Sequence, residues 1–331
     1  MSRKLRAIDR AKVQTIPARS RHSKVTLRDE ATPYEAGTSF SQFLKGLPDI
    51  LGAKDLREVV GAWDKAWTDD RSVLWGFGAH LIKVGLAPVV VDLMERGAIS
   101  AIFMNGAGSV HDLEIALMGR TSEEVGEALD DGSFGMARET GEQLNGAINR
   151  GAGEGLGMGE SIGREILEGK YRYKDRSVLA AAVRLGIPAT VHIAVGSDIH
   201  HMHPSADGAA LGETSFRDFE KLSSVVAGLE GGVVFNVGSA VILPEVFLKA
   251  LSLARNLGNP VRRITAVNLD FIRHYRPQVN IVERPTRLGG KGYSLVGKHE
   301  IMVPLMSAGV IEAHEKSSAR GSRKSGRGRK R

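Results

Sequence analysis

The stretch of residues 99–114, ISAIFMNGAGSVHDLE, constrains the fold of this chain more than any other. It begins with an apolar run, breaks at the small residues of positions 105–109, and ends on His111, Asp112 and Glu114. A buried strand that leads into a glycine turn places backbone N–H groups at the carboxyl edge of a sheet, where open α/β proteins bind ligands. We therefore expect this turn to form the floor of a dinucleotide site.

Composition narrows the class of protein. With 331 residues, 42% of them hydrophobic, the chain is long enough for one large globular domain or two small ones. It contains no cysteine, which excludes disulfides and thiolate chemistry and favours a reducing compartment, so we expect a cytoplasmic protein. The N-terminus lacks the apolar core of a secretory signal, and no run of about 18 apolar residues predicts a membrane helix.

The formal net charge of +7 is divided unevenly along the chain. Residues 1–28 carry +8 and residues 316–331 another +8, which leaves −9 on the body between them. We predict a basic, poorly ordered N-terminal arm over residues 1–38, a single α/β catalytic domain over 39–315, and a disordered basic tail over 316–331. The tail could contact nucleic acid through phosphate groups, whereas the acidic body suits a cationic ligand.

Strand and helix patterns alternate along the body. We predict strands over residues 99–104, 189–195, 232–235 and 261–269, and helices over 55–67, 120–131, 134–150, 175–185, 216–229, 243–257 and 300–312. Residues 72–96 are predicted as one interrupted helix and the glycine-rich residues 151–163 as a flexible loop. The alternation predicts an α/β fold with a mostly parallel sheet and helices on both faces.

A histidine-rich segment lies at the carboxyl end of the predicted strand 189–195. It contributes His192, Asp198, His200, His201 and His203. Histidines spaced H-x-x-H or H-x-H can share a metal ion, and a metal-dependent hydrolase would follow from that arrangement. The same side chains could instead donate hydrogen bonds to a phosphate, a ribose or a substrate oxygen. The residues leave both alternatives open.

Two further segments have the composition of a ligand site. Gly238-Ser239 follows a predicted strand and precedes a helix, which repeats the pattern of the opening stretch. Lys291 stands among glycines, where a lysine acts as a nucleophile only if its surroundings lower its pKa. A G-x-G-x-x-G fingerprint occurs nowhere, so the ordinary dinucleotide-binding signature is absent.

Taken in order, these segments resemble the deoxyhypusine synthase family over residues 78–312. Ala79-His80-Leu81-Ile82 is similar to the family's Ser-Asn-Leu-Ile, and residues 105–110, NGAGSV, are similar to its Thr-Thr-Ala-Gly-Gly-Val turn. Gly290-Lys291 falls on its Trp-Gly-Lys, with Gly289 in place of the tryptophan. His111 and Asp112 stand where the family has two glutamates.

The resemblance implies an NAD-binding fold and a homotetramer. It implies transfer of an aminobutyl group from a spermidine-like polyamine to an amine or a protein lysine, through an imine on an enzyme lysine. NAD would bind at Ala107, Gly108, Ser109, Gly238 and Ser239. His111, Asp112, Asp198 and Glu245 would hold the cationic substrate. Lys291 would form the imine, with Lys298 as the other candidate. A non-catalytic relative that binds anionic partners through its basic ends is a third alternative.

Overall fold

Six strands form one parallel sheet within residues 5–328, which the computed structural model describes, with side chains as far as residue 318. The first four and last three residues of the predicted basic ends lie outside this range. The strand order is β3-β2-β1-β4-β5-β6. The strands are β1 Val73–Phe77, β2 Ala101–Asn105, β3 Ala189–His192, β4 Val233–Val237, β5 Thr265–Asp270 and β6 Lys291–Val296. This is the doubly wound order of dinucleotide-binding sheets, and the predicted fold class is confirmed.

Helices connect the strands and cover the sheet. They are α1 Phe40–Gly46, α2 Leu51–Thr68, α3 His80–Lys83, α4 Ala87–Glu95, α5 Gly106–Met118, α6 Val125–Asp130, α7 Arg138–Glu154, α8 Met158–Glu168, α9 Val178–Leu185, α10 Gly208–Ala227, α11 Ile242–Asn256, α12 Tyr275–Pro277 and α13 His299–Gly328. A π-helical turn over Gln278–Glu283 continues α12. Single-turn 3-10 helices lie at Arg10–Lys12, Ala18–Ser20, Leu27–Asp29, Lys174–Arg176 and Ile199–Met202.

The strand side chains alternate between two apolar cores, one on each face of the sheet. In β1, Trp75 packs in the core that contains α2, whereas Leu74 packs in the core that contains α11. Trp63 of α2 fixes the first core, because its Nε1 donates to the Ala98 carbonyl at 2.7 Å and its ring lies 4.8 Å from that of Phe235. Burial on both faces gives the near-continuous apolar strands expected of a parallel sheet.

Two predicted elements are wrong. Residues 72–96 form β1, α3 and α4 rather than one helix, because an apolar run buried on both faces has no periodicity that separates strand from helix. Residues 151–163 are the end of α7 and the start of α8 rather than a flexible loop. Their glycines allow close packing: a Cβ at Gly159 would lie 2.4 Å from the Ala189 carbonyl oxygen.

The two basic ends differ in structure. Every residue from 5 to 28 is exposed. By contrast, α13 continues through Gly328, where the sequence predicts a disordered tail. Stacking of His314 on Trp67, with ring centroids 3.6 Å apart, holds α13 against α2, and each further helical residue then adds a hydrogen bond without a new nucleation cost. No helix in the described range is long and apolar enough to cross a membrane.

A buried carboxylate joins α8, α10 and β3. Asp218 of α10 accepts hydrogen bonds from the backbone N–H groups of Gly159, at 2.8 Å, and Val191, at 2.7 Å. Burial raises the pKa of Asp218 to about 7, against the effect of these two hydrogen bonds.

We predict that Asp218→Asn removes part of the pH dependence of folding. The pKa of Asp218 in the folded protein lies above its value of 3.8 in an unfolded chain, so the folded state holds a proton that the unfolded state releases. The wild type should therefore lose stability as the pH rises from about 4 to about 7, by on the order of 4 kcal/mol, and the variant should lose less. Urea unfolding across this range measures the effect, and identical slopes for both proteins would contradict it.

Candidate functional site

The sheet order reverses between β1 and β4, and two glycine turns meet at the carboxyl edge there. The Gly78 N–H donates to the Val237 carbonyl at 2.9 Å, and a Cβ at Gly78 would lie 2.6 Å from the Gly238 oxygen. Gly238 has φ +68°, and a Cβ there would lie 2.7 Å from Cε1 of His299. Only glycine fits either position without displacing its neighbours, and this crevice is where doubly wound sheets bind ligands.

Helix α11 begins next to these turns. Ser239 Oγ accepts the Leu243 N–H at 3.3 Å, and among the described residues no side chain caps α11 at Val241. Pro244 has no N–H and the Glu245 N–H donates to the Val241 carbonyl at 3.4 Å, so the Ile242 N–H is left at the positive end of the helix dipole, which favours an anion. Gly238 and Ser239 thus lie at the edge where the sequence predicts them.

In the turn after β2, most polar groups form hydrogen bonds with one another. Asn105 caps α5 by accepting the Gly108 N–H at 3.1 Å, and Ser109 Oγ donates to the Gly106 carbonyl at 2.7 Å. Gly108 and Ser109 are therefore bonded within the turn. Ala107 differs, because its N–H bonds to the Asp198 carboxylate and the residue lines a cavity.

This cavity has a volume of about 220 Å³ and an acidic wall. Its described lining includes the carboxylates Glu114, Glu123 and Asp198, together with His111 and the exposed Lys83. The predicted substrate residues His111 and Asp198 therefore lie in one cavity. A cavity with this charge suits a ligand that carries positive charge.

Glu114 is held in place by three side chains. His111 Nδ1 lies 2.6 Å from Thr121 Oγ1, which in turn bonds to Glu114, and Thr140 Oγ1 donates to Glu114 at 3.1 Å. Burial acts to raise the pKa of Glu114, but the nearby His111, whose Nδ1 is 3.8 Å away, and the hydrogen bonds from Thr121 and Thr140 outweigh it and lower that pKa. Glu114 therefore contributes a negative charge to the cavity.

Asp198 lies against the first residue of α5. Its Oδ2 would be 2.0 Å from a Cβ at Gly106, so only glycine leaves room for the carboxylate. The side chain is 4% exposed, and burial raises the pKa of Asp198 to about 6 against the hydrogen bond from Ala107. Oδ2 has no hydrogen-bond partner within the described part of the chain.

The four histidines of the predicted metal cluster do not all come together at one point. His192 Nε2 lies 3.0 Å from Thr190 Oγ1, and His203 Nε2 lies 2.8 Å from the Gly135 carbonyl, so both side chains are engaged elsewhere. Burial lowers the pKa of His192 to about 3. His200 and His201 instead join Asp198, with their nearest ligand atoms within 4.8 Å of one another. A metal centre formed by all four histidines is therefore wrong, whereas Asp198, His200 and His201 of the predicted cluster do come together.

Asp112 is not a substrate residue. It is fully buried on the side of α5 that faces α9. Its carboxylate accepts hydrogen bonds from Ser177 Oγ at 2.5 Å and from the N–H groups of Val178, at 2.8 Å, and Leu179, at 3.1 Å. Burial raises the pKa of Asp112 to about 6, against these hydrogen bonds. Asp112 therefore stabilises the start of α9 and is directed away from the cavity.

Lys291 does not belong to the site in this chain. It is the first residue of β6 and pairs with Thr265 at the amino end of β5, about 17 Å along the strand from the carboxyl edge. Its Nζ lies 4.0 Å from Glu58, and the side chain is 73% exposed. Lys298 follows β6 at the carboxyl edge instead, with Nζ 5.3 Å from the Phe271 ring centroid.

Glu245 is also engaged in the fold. Its carboxylate accepts hydrogen bonds from Arg276 at 2.7 Å, Asn280 at 2.8 Å and Lys249. The hydrogen bonds from Lys249 and Arg276 lower the pKa of Glu245. These contacts join α11 to α12 and the π-helical turn, and they leave the predicted substrate role without support.

Sequence reasoning missed a second polar group at the carboxyl edge. His299 is 1% exposed, its Nε2 lies 3.3 Å from the Leu269 carbonyl, and its Nδ1 has no partner among the described residues. The His80 ring lies 5.4 Å from it, and the buried Asp270 ends β5 beside it. The one sequence signal for His299 would have been its position just after a strand, but the sequence pattern did not predict that strand, β6.

Comparisons with known proteins find similarity in the fold. The complex of AgrE with ornithine and NAD⁺ is 16% identical with a TM-score of 0.50, and the match covers 81% of this chain and 34% of that one. A conserved protein from Methanococcus maripaludis S2 assigned as LOR/SDH is 14% identical with a TM-score of 0.51, over 80% and 71%. A protein from Entamoeba histolytica assigned as a deoxyhypusine synthase is 10% identical with a TM-score of 0.50, over 86% and 96%.

These similarities define a class of fold. The chain has the α/β architecture shared by these three structures, and it spans about a third of the length of AgrE. No protein-family model matches the sequence, and comparison with curated proteins finds no relative. The resemblance to deoxyhypusine synthase noted in the sequence is thus supported at the level of the fold.

We predict that Asp112→Ala destabilises the protein without affecting ligand binding. Three hydrogen bonds to the start of α9 are lost and their donors stay buried, which should cost roughly 2–4 kcal/mol in the free energy of unfolding. Chemical denaturation measures the change. His111→Ala, one residue away on the cavity side, is the control and should cost less than half as much. Equal losses for the two variants would contradict a purely structural role for Asp112.

Proposed function

We propose that this protein is an NAD-dependent enzyme that oxidises a cationic amine. The observation that carries the proposal is the acid-lined cavity beside the switch point of a sheet with dinucleotide-binding strand order. Asp198 and Glu114 form its negative wall, next to the Ala107 N–H. The AgrE structure that contains ornithine and NAD⁺ supports both the cofactor and a cationic amino compound as the class of substrate.

The residues at the switch point fit a dinucleotide. Gly78 and Gly238 let the two turns lie against each other at the edge where a pyrophosphate would bind, and the positive end of the α11 dipole favours its negative charge. Ser239 fixes the first turn of α11 through its bond to Leu243. When bound, NAD supplies an acceptor for a hydride. The carboxylates of the cavity orient the amine.

The finer proposal is transfer of an aminobutyl-type group after the oxidation, as in the family that the sequence resembles. This step needs a lysine near the carboxyl edge to form an imine. Lys298, after β6, and Lys83, in the cavity wall, meet that requirement, whereas Lys291 at the amino edge does not. A homotetramer and a protein acceptor are parts of the same proposal.

Gly238→Ala should weaken NAD binding at least tenfold. The left-handed φ of +68° and the 2.7 Å approach to His299 force the turn to move when a Cβ is added. Gly258→Ala is a matched control, because Gly258 has φ +90° at the other end of α11 with nothing within 4 Å of an added Cβ. Calorimetric titration with NAD⁺ compares the variants. Equal affinities would remove Gly238 from the cofactor site, and no binding to the wild type would refute NAD dependence.

Borohydride trapping tests the transfer step. We expect that incubation with NAD⁺ and spermidine, followed by reduction and peptide mapping, gives an adduct on Lys298 or Lys83. Lys291→Ala should leave the yield unchanged, because its side chain is exposed on the opposite edge of the sheet. An adduct on Lys291 would contradict this assignment. Formation of NADH without any lysine adduct would support oxidation and exclude the transfer.

A further inference from the structure

Three buried polar atoms beside the cavity lack hydrogen-bond partners among the described residues. They are Asp198 Oδ2, His200 Nε2 and His201 Nε2. The side chains of Asp198 and His201 are 4% and 5% exposed, and His200 is 0% exposed. One ring nitrogen of each histidine and one carboxylate oxygen of Asp198 lie within 4.8 Å of one another, and His201 Nε2 is 4.0 Å from Asp198 Oδ2. Buried polar groups are nearly always satisfied, so three unsatisfied atoms that converge indicate a place for a ligand.

The neighbours of His200 fix its tautomer. Asn145 Nδ2 donates to the His200 carbonyl at 2.9 Å and to Ser205 Oγ at 3.0 Å, which occupies both of its hydrogens. Asn145 Oδ1, 2.9 Å from His200 Nδ1, must therefore accept a hydrogen bond from that nitrogen. Burial lowers the pKa of His200 to about 3, so the ring is neutral. Its Nε2 is thus a hydrogen-bond acceptor.

His201 has the opposite tautomer. The Gly196 N–H donates to His201 Nδ1 at 3.1 Å, so Nδ1 carries a lone pair. Burial lowers the pKa of His201, which keeps the ring neutral and places its proton on Nε2. That Nε2 lies 4.0 Å from Asp198 Oδ2, too far for a good hydrogen bond. The cluster therefore presents two acceptors, on Asp198 and His200, and one donor, on His201.

This pattern discriminates among ligands. A divalent metal ion needs three lone pairs, and His201 offers an N–H instead. An ammonium group has only N–H donors. Two of them could bond to Asp198 and His200, but the third would be directed at the N–H of His201, which is also a donor. A neutral primary amine matches: its two hydrogens bond to Asp198 and His200, and its lone pair accepts from His201.

We propose that Asp198, which lines the cavity, and the adjoining His200 and His201 select the neutral form of a primary amine. The inference rests on the proposed function and names the reactive state of its substrate. The other charged and titratable groups along the cavity are Lys83, His111, Glu114 and Glu123. The carboxylates attract the ammonium form from solution, and one proton returns to solvent as the nitrogen enters the cluster.

The neutral form is the one that can be oxidised. With NAD⁺ bound, the nitrogen lone pair would first leave the His201 N–H; the neighbouring C–H bond would then break, its electron pair leaving with the hydrogen to the cofactor, and the lone pair would form the new C=N bond. One neutral amine and one NAD⁺ thus give one iminium ion and one NADH. An ammonium has no lone pair to form that bond, so selecting the neutral amine favours the reaction.

Calorimetry with n-butylamine tests the inference on the full chain saturated with NAD⁺. Release of one proton per bound amine should tighten the apparent Kd about tenfold for each pH unit between 7 and 9. Butyltrimethylammonium keeps the charge but has neither N–H nor lone pair, and it should bind at least tenfold more weakly at pH 9. A pH-independent Kd, or equal binding of the two compounds, overturns the inference.

Variants of His201 test whether this residue discriminates between the neutral amine and the ammonium form. His201→Leu removes the donor, so the pH dependence should fall towards zero as the ammonium form becomes acceptable. His201→Gln keeps an N–H donor and should retain the dependence. His203→Gln is the matched control on the same segment and should behave as the wild type. Unchanged pH dependence in His201→Leu overturns the assignment.

Two further outcomes separate this inference from the proposed function. Absence of butylamine binding, with NAD⁺ still bound, would mean that the cluster holds only water. This result would overturn the inference but leave the proposed NAD binding intact. Butylamine binding with the expected pH dependence but without NAD⁺ binding would support the cluster and refute NAD dependence. A stoichiometric metal by elemental analysis that disappears in His201→Leu would also overturn the inference.

Discussion

All six described strands run in the same direction between two apolar layers, and this constraint determines where chemistry can occur. Polar groups within the sheet would lie in one of the two cores, so they collect where strands end. Because the strands are parallel, those ends share one edge, which carries the turns after β1, β2, β3 and β4. The cavity, the paired glycines and the unsatisfied imidazoles are all consequences of that arrangement.

Three aspartates are buried to a similar degree, and it is the hydrogen-bonding surroundings of each carboxylate that distinguish a structural role from a functional one. Burial raises the pKa of Asp112, Asp198 and Asp218 to about 6 or 7 in each case. Asp112 and Asp218 accept backbone N–H groups that start α9 and α8. Asp218 also has an oxygen without a partner, Oδ1, but the partnerless Oδ2 of Asp198 differs in lying beside two imidazoles that each have a nitrogen without a partner among the described residues. A raised pKa alone would not have distinguished the three.

Sequence patterns predicted the features that depend on local order. The strand before the turn at residue 105, the strand before Gly238 and the helix that follows it are present, because apolar runs and glycine turns are local signals. The assignment of Asp112 failed because adjacent residues on a helix face different neighbours, and α9 could not be placed from the sequence. Lys291 failed because β6 is a strand with an exposed start that lacks a clear alternation. The tautomers of His200 and His201 depend on Asn145, 55 residues from His200, and on a backbone turn at Gly196, neither of which a pattern reveals.

The path of α13 has a consequence for the basic C-terminal segment. The helix begins with His299 at the carboxyl edge and passes Trp67, which packs beside Gly97 ahead of β2, at the amino edge. From there the backbone of α13 continues to Gly328 and so extends beyond that second edge. An anionic partner bound there would be held on the far side of the sheet from the cavity. Tethering and catalysis would then be independent, and the protein could be anchored while its cavity stays open to substrate.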